Sequence, residues 1–345
     1  MMSCVGHEQL HEAAPPKPTG FYSQRVDSGA IPILGSAKVS RRGLEAARDR
    51  LETILHDAPR LRRNLEARGY ELHVLALEEF PSDLPEYASK RGVVEANGQL
   101  FDWHMIGGHI SEDARHFSSC TEGTLLPIVG FRLYGDETCF HELGHVIDWF
   151  ALDAALRARV VAEFKESTST GHWAGQYAAT NEHEWFAEIT KYYFRADRED
   201  LAFYDKTLAH GHEWLCGYDA RACRFAADVY GDRIDPGTPK TTTLAPSAGS
   251  LEPTTRSVEG RVPVRVIVRN ETSSPLRAIW LDYAGKRDAR QVVKDERPIA
   301  HGADKALFTW ATHAYVITTE TGDALCTIVA PEEEAVVEIT GTCDR

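Results

Sequence analysis

Apolar residues recur along this chain in two different periods. From about Ile31 to residue 234 the helical period dominates, and beyond residue 258 the period is two. In SRRGLEAARDRLETILHDAPRLRRNLEARG, Leu44, Ala47, Leu51, Ile54 and Leu55 fall at helical spacing, and YELHVLAL (70–77) predicts a strand. Residues 80–135 mix Pro, Gly and short apolar runs and read as loops with short strands. Helices are predicted over about 137–166, over about 181–196, and near GYDARACRFAADVYG. Residues 235–258 are rich in Pro, Thr, Ser and Gly and read as a linker. In RVPVRVIVRN the valines 262, 264, 266 and 268 alternate, and four more short apolar runs follow, which predicts a small antiparallel β-sandwich or barrel.

The expected fold class is therefore α+β. A flexible tail (1–30) precedes a mixed domain (31–234), the linker (235–258) and an all-β domain (259–345). Apolar residues make up 43% of the chain, enough to bury a sizeable core. The formal charge of −14 argues against nucleic acid or an anionic membrane surface as partner, because both require a basic face. No apolar run reaches the roughly 18 residues of a membrane span. The first residues lack the apolar core of a signal peptide, which favours the cytoplasm slightly unless a signal was removed or export is unconventional. The seven cysteines are scattered, odd in number and without a C-x-x-C pair, so neither a zinc finger nor a dense disulfide framework is expected. Cys120 with Cys139, and Cys326 with Cys343, are the candidate pairs.

Candidate chemistry centres on H-E-x-x-H, which occurs twice. HEQLH (7–11) is terminal, has no apolar stripe and runs into three prolines, and it reads as coincidence. HELGH (141–145) lies in an apolar helical context with Phe140, Leu143, Val146, Ile147 and Phe150. Two histidines at i and i+4 share a helix face and reach one ion, while Glu142 between them suits a general base acting on water. A catalytic zinc takes three protein ligands, so a third must lie elsewhere. The metzincin continuation is excluded, since its two positions hold Asp148 and Ala151. The acids Glu182, Glu184 and Glu188 in TNEHEWFAEITKYYF are the candidates. Glu184 and Glu188 share a face, and a carboxylate turned toward a core is costly unless it pairs or coordinates.

HELGHVID together with YAATNEHEWFAE resembles the lethal-factor-like bacterial zinc metallopeptidases, a resemblance that spans roughly 31–233. It implies a zincin-like domain hydrolysing peptide bonds with bound Zn2+. His141, His145 and Glu184 would be its ligands, Glu142 the general base and Tyr177 the oxyanion donor. Glu188 would orient a motif histidine, as ligating imidazoles require, and Asp148 is placed in the same supporting role. The expected partner is a peptide or protein substrate. Residues 259–345 resemble the β domain of the von Hippel–Lindau family through VRNETSSPLRAIWLDYAG and TWATHAYVITTETGDAL. That resemblance implies a peptide-binding face, of hydroxyproline type in the family, at Trp280, Thr309, Trp310, His313 and Tyr315. The family's enclosing tyrosine has no match in GKRDARQ. The rival expectation is a binding or adaptor protein on an inactive or structural-metal zincin scaffold. The intact set of His141, Glu142, His145 and Glu184 argues against it.

Overall fold

A computed structural model describes residues 20–94, 100–102, 108–126, 137–195, 197, 210–288 and 298–343. HEQLH and Arg290 in GKRDARQ lie outside the described residues.

The N-terminal half is built on one mixed sheet with helices against it. Its strands are β1 (Gln24–Ser28), β2 (Ile31–Gly35), β3 (Glu71–Leu75), β4 (Gly108–Ile110) and β5 (Phe117–Thr121), in the order β1-β2-β3-β5-β4. β2, β3 and β5 run parallel, and the outer strands β1 and β4 are antiparallel to their neighbours. Helix α1 (Arg41–Leu55) buries all five residues of the sequence stripe, and the Ser40 hydroxyl accepts from the Gly43 amide at its start. Helix α2 (Pro59–Ala67) follows at once, with Pro59 in its first turn, where no amide donor is needed.

The helix expected over 137–166 is two helices. α4 (Thr138–Val146) widens into a π turn over Ile147–Ala151, and Leu152 then leaves the helical region. α5 (Ala154–Ser169) restarts because Asp153 accepts from the Leu156 amide, a local bond that competes with helix continuation. α3 is a single turn, Glu122–Leu125. α6 (Glu182–Phe194) begins at Asn181, whose side chain accepts from the amides of His183 and Glu184. α7 (His212–Tyr218) and α8 (Ala220–Tyr230) complete this half, joined at Asp219, which caps α8.

The C-terminal half forms two four-stranded sheets. One has the order β10-β8-β13-β6, from β10 (Asp304–Trp310), β8 (Pro263–Asn270), β13 (Glu334–Ile339) and β6 (Thr241–Thr243). The other has the order β7-β12-β11-β9, from β7 (Ser247–Ala248), β12 (Ala324–Val329), β11 (Ala314–Thr319) and β9 (Leu276–Leu281). Val264, Val266 and Val268 share a core with Ile317, Cys326, Ile328, Val337 and Ile339, so inner faces of both sheets meet. The pairing is not wholly antiparallel, since β13 runs parallel to both β8 and β6. The long excursion from β8 to β13 permits this. The Thr-rich stretch after residue 234 supplies the edge strands β6 and β7.

β8 is buried on both faces because its outer face meets the N-terminal half. Arg265 points that way, only 1% exposed, with its guanidinium 4.8 Å from the Phe150 ring centroid and donating to the Asp113 carbonyl at 2.6 Å. Glu334 closes the same junction. Its Oε1 takes bonds from Arg68 Nη1 (2.7 Å) and Thr241 Oγ1 (2.7 Å) and faces His116 Nε2 (3.2 Å), while Oε2 lies 3.4 Å from Arg265 Nη1.

Three disulfides are present, Cys120–Cys139, Cys216–Cys223 and Cys326–Cys343. The first and third are the candidate pairs of the sequence, whereas Cys216–Cys223 was not anticipated, because it depends on α7 and α8 meeting across Asp219. Among the described residues no helix is long and apolar enough to cross a membrane.

Candidate metal centre

α4 carries the motif and α6 carries the acids, and their close crossing creates the site. A Cβ added to Gly144 would stand 2.8 Å from the Cα of Ala187 and 3.1 Å from Thr190 Cβ, so only glycine permits this approach. The Cys120–Cys139 disulfide ties β5 to the start of α4, two residues before His141.

Three side-chain atoms converge. His141 Nε2 lies 3.1 Å from His145 Nε2, and Glu184 Oε2 lies 3.2 Å from the first and 3.4 Å from the second. Ligands about 2.0–2.1 Å from a tetrahedral zinc are separated by about 3.3–3.4 Å, which these edges approach. Glu184 Oε2 is buried without a hydrogen-bond partner, a costly state for a carboxylate oxygen unless a cation sits there. The donor set of two imidazoles and one carboxylate suits a divalent metal of the zinc type.

The surrounding groups set the charge. Glu188 Oε1 lies 2.8 Å from His141 Nδ1 and accepts a hydrogen bond from it, which leaves the Nε2 lone pair facing the triangle. Lys191 Nζ holds Glu188 in turn at 2.7 Å. Burial alone would lower the His141 pKa, but the adjacent Glu184 and Glu188 carboxylates outweigh it and favour positive charge at this ring, a charge that a cation held at Nε2 would supply in place of the proton. Burial likewise opposes ionisation of both carboxylates, yet they stay well below the usual range. His141 and His145 hold Glu184 there, and Lys191 and His141 hold Glu188. Glu142 is buried, and burial raises its pKa against the pull of both histidines, the direction a general base at neutral pH requires.

Tyr177 is not on α6. It opens a separate 3-10 turn, Tyr177–Ala179, packed against that helix, with its ring centroid 5.9 Å from that of His141. It is 59% exposed, the most solvated member of the group, and partial burial together with the neighbouring Glu184 carboxylate raises its phenol pKa further above the ordinary value. Asp148 pairs with no motif histidine: its Oδ2 pairs with Nδ1 of His183, the residue before Glu184, which also stacks on Trp149 at 4.2 Å. Asp148 therefore bears on the site through the start of α6. Glu182 lies 3.4 Å from His183 Nε2.

Two contributors escaped sequence reasoning. Besides Gly144, Gly108 on the edge strand β4 leaves room for Glu142, since a Cβ there would lie 2.5 Å from Glu142 Cγ. A glycine inside a strand is the signal of such an approach.

In the C-terminal sheets Trp280, Thr309, His313 and Tyr315 come together. Tyr315 OH donates to Thr309 Oγ1 at 2.8 Å, Thr309 Oγ1 lies 3.1 Å from His313 Nδ1, and the Trp280 and His313 rings are 5.4 Å apart. Trp310 follows Thr309 on β10, so it leaves the opposite face. Exposed Tyr283, which the sequence reading passed over, stands 5.6 Å from Trp280 and 6.0 Å from His313 by ring centroids.

No family profile and no curated protein matches the chain. Among solved structures it is similar to the PRO-PRO endopeptidase PPEP-2 from Paenibacillus alvei. The identity is 18% and the TM-score 0.41, over 58% of this chain and 97% of that one.

Proposed function

We propose that this chain is a zinc-dependent endopeptidase of lethal-factor-like type, with the segment 31–234 as its catalytic domain. The observation that carries the reading is the triangle of His141 Nε2, His145 Nε2 and Glu184 Oε2, with its unpartnered carboxylate oxygen. These three residues would hold the ion. When bound, it supplies Lewis acidity toward a scissile carbonyl and brings the pKa of water near 7. Glu142 takes the proton of the attacking water and delivers it to the leaving amine. The Tyr177 phenol donates to the oxygen that gains charge. Glu188 keeps His141 in the productive tautomer. The C-terminal segment 259–345 serves as a von Hippel–Lindau-like β domain that binds a peptide across Trp280, Thr309, His313 and Tyr315.

Metal analysis with a chelator-sensitive peptide assay tests the reading. Glu142→Ala retains the metal and loses peptide cleavage. A variant that cleaves as well as the parent chain refutes it, as does a parent chain that binds no zinc.

A further inference from the structure

A second cluster of ligand atoms lies away from the site described above, at the junction of α7 and α8. His212 and Cys216 are one turn apart on α7, and Cys223 lies in the first turn of α8. Their ligand atoms all fall within 4.8 Å of one another, and His212 Nε2 is 3.6 Å from Cys216 Sγ. The orientation of His212 is informative. Its Nδ1 lies 2.9 Å from the Tyr193 carbonyl, which can only accept, so Nδ1 carries the proton and the Nε2 lone pair faces the sulfurs. That is the arrangement a ligating imidazole takes, with a backbone carbonyl fixing its other nitrogen. A disulfide alone gives no reason for it.

The two helices are also held together without the cysteines. Asp219, between the two helices, accepts from the Ala222 amide (2.9 Å) and from Trp173 Nε1 (3.0 Å), and it is 2% exposed. When the sulfur–sulfur bond opens, the two helices stay joined at Asp219, and rotation of the two cysteine side chains separates the sulfurs to the roughly 3.7 Å that two thiolates about 2.3 Å from one tetrahedral ion require. Cys223 is buried, Cys216 half-buried and His212 exposed, which leaves one side for solvent.

We propose that His212, Cys216 and Cys223 form a redox-gated second site for a zinc-type cation. In the oxidised chain the sulfurs are bonded to each other and the site is closed. A dithiol reductant delivers two electrons and two protons, breaks the Cys216–Cys223 bond and leaves as its own disulfide. The cation then displaces both thiol protons and is held by two thiolates and His212 Nε2, with water in the fourth position. Such a donor set, two sulfurs and one imidazole nitrogen, favours zinc-type ions over magnesium or calcium. Because His212 is anchored on Tyr193, occupancy pins α7 and α8 to the far end of α6.

Cobalt(II) is the probe, added to the full chain either oxidised or reduced with a phosphine and kept under nitrogen. The reduced chain takes up one more equivalent than the oxidised chain and gains an intense thiolate-to-cobalt charge-transfer absorption in the near ultraviolet. Cys216→Ser removes that absorption, and His212→Ala weakens cobalt binding at this site at least tenfold. His212 is exposed and its replacement leaves every cysteine in place, so His212→Ala remains informative if Cys216→Ser fails to fold. The absorption persists in His141→Ala, which separates this site from the proposed peptidase centre. No charge transfer in the reduced parent overturns the proposal, as does a band of equal strength and affinity in His212→Ala.

Discussion

Glu334→Gln measures how firmly the two halves of the chain are joined. Glu334 is 2% exposed and is approached by Arg68, Arg265, His116 and Thr241. The glutamine amide oxygen can still accept from Arg68 and Thr241, so the main loss is charge. Two guanidiniums, with side chains 7% and 1% exposed, then lose their shared counter-charge. Breaking a buried pair from one side costs about 3–5 kcal/mol, a large share of the roughly 5–15 kcal/mol that holds a domain folded. Urea unfolding followed by tryptophan fluorescence and by circular dichroism gives the value and tests whether both halves still melt together. Arg68→Met alone is destabilising, but combined with Glu334→Gln it recovers part of the loss, because it removes one of the stranded charges. A cost under about 1 kcal/mol for Glu334→Gln, or strictly additive effects in the double variant, refutes a buried charge junction.

Three further outcomes follow from the same geometry. Gly144→Val separates α4 from α6 and weakens zinc binding, read by equilibrium dialysis, while unchanged affinity would show that the helices can part without cost. Glu188→Gln lowers zinc affinity about 10–100-fold with the fold intact by circular dichroism, and parent-like affinity would remove Glu188 from its orienting role. Stability falls as the medium is acidified: burial holds the His116 pKa below its ordinary 6.5, so that contribution is complete above 6.5 and is lost as the pH drops through the folded value. Glu334 adds to the loss further down. Burial opposes its ionisation, but His116, Arg265 and Arg68 hold its pKa below the ordinary 4.5, so its contribution is present above 4.5 and disappears on the acid side. A midpoint in urea that stays constant from neutral pH to about pH 4.5 contradicts the His116 assignment, and one that stays constant from there to about pH 2 contradicts that of Glu334.

The candidate ligands were legible because their geometry is local. His141 and His145 are related by one helical turn, and so are Glu184 and Glu188, so each pair could be placed on a face before any fold was known. The bond between Glu188 and His141 joins two helices 47 positions apart and rested on resemblance. Tyr177 came into view through the family resemblance, yet its own 3-10 turn did not, because a three-residue turn leaves no periodicity. The π turn after Val146 was hidden since its residues are all buried, so apolar spacing there fits any helical pitch. β6 and β7 were read as linker because strands of three and two residues, largely solvent-facing, carry no alternation. Arg265 was legible only as the charged partner of a valine stripe, and its burial follows from a neighbour that the sequence pattern does not name.

Gly144 gives the motif a dimension that its letters omit. Thr190, which faces it, is pinned by bonds to the Phe186 carbonyl (2.8 Å) and the Tyr230 hydroxyl (2.6 Å), so the opposing surface has no slack. Copying the two histidines and the glutamate onto a foreign helix would reproduce the ligands and still lose the third, because the spacer residue fixes the separation of the helix axes. A graft succeeds only if the recipient brings a bare backbone groove of matching depth.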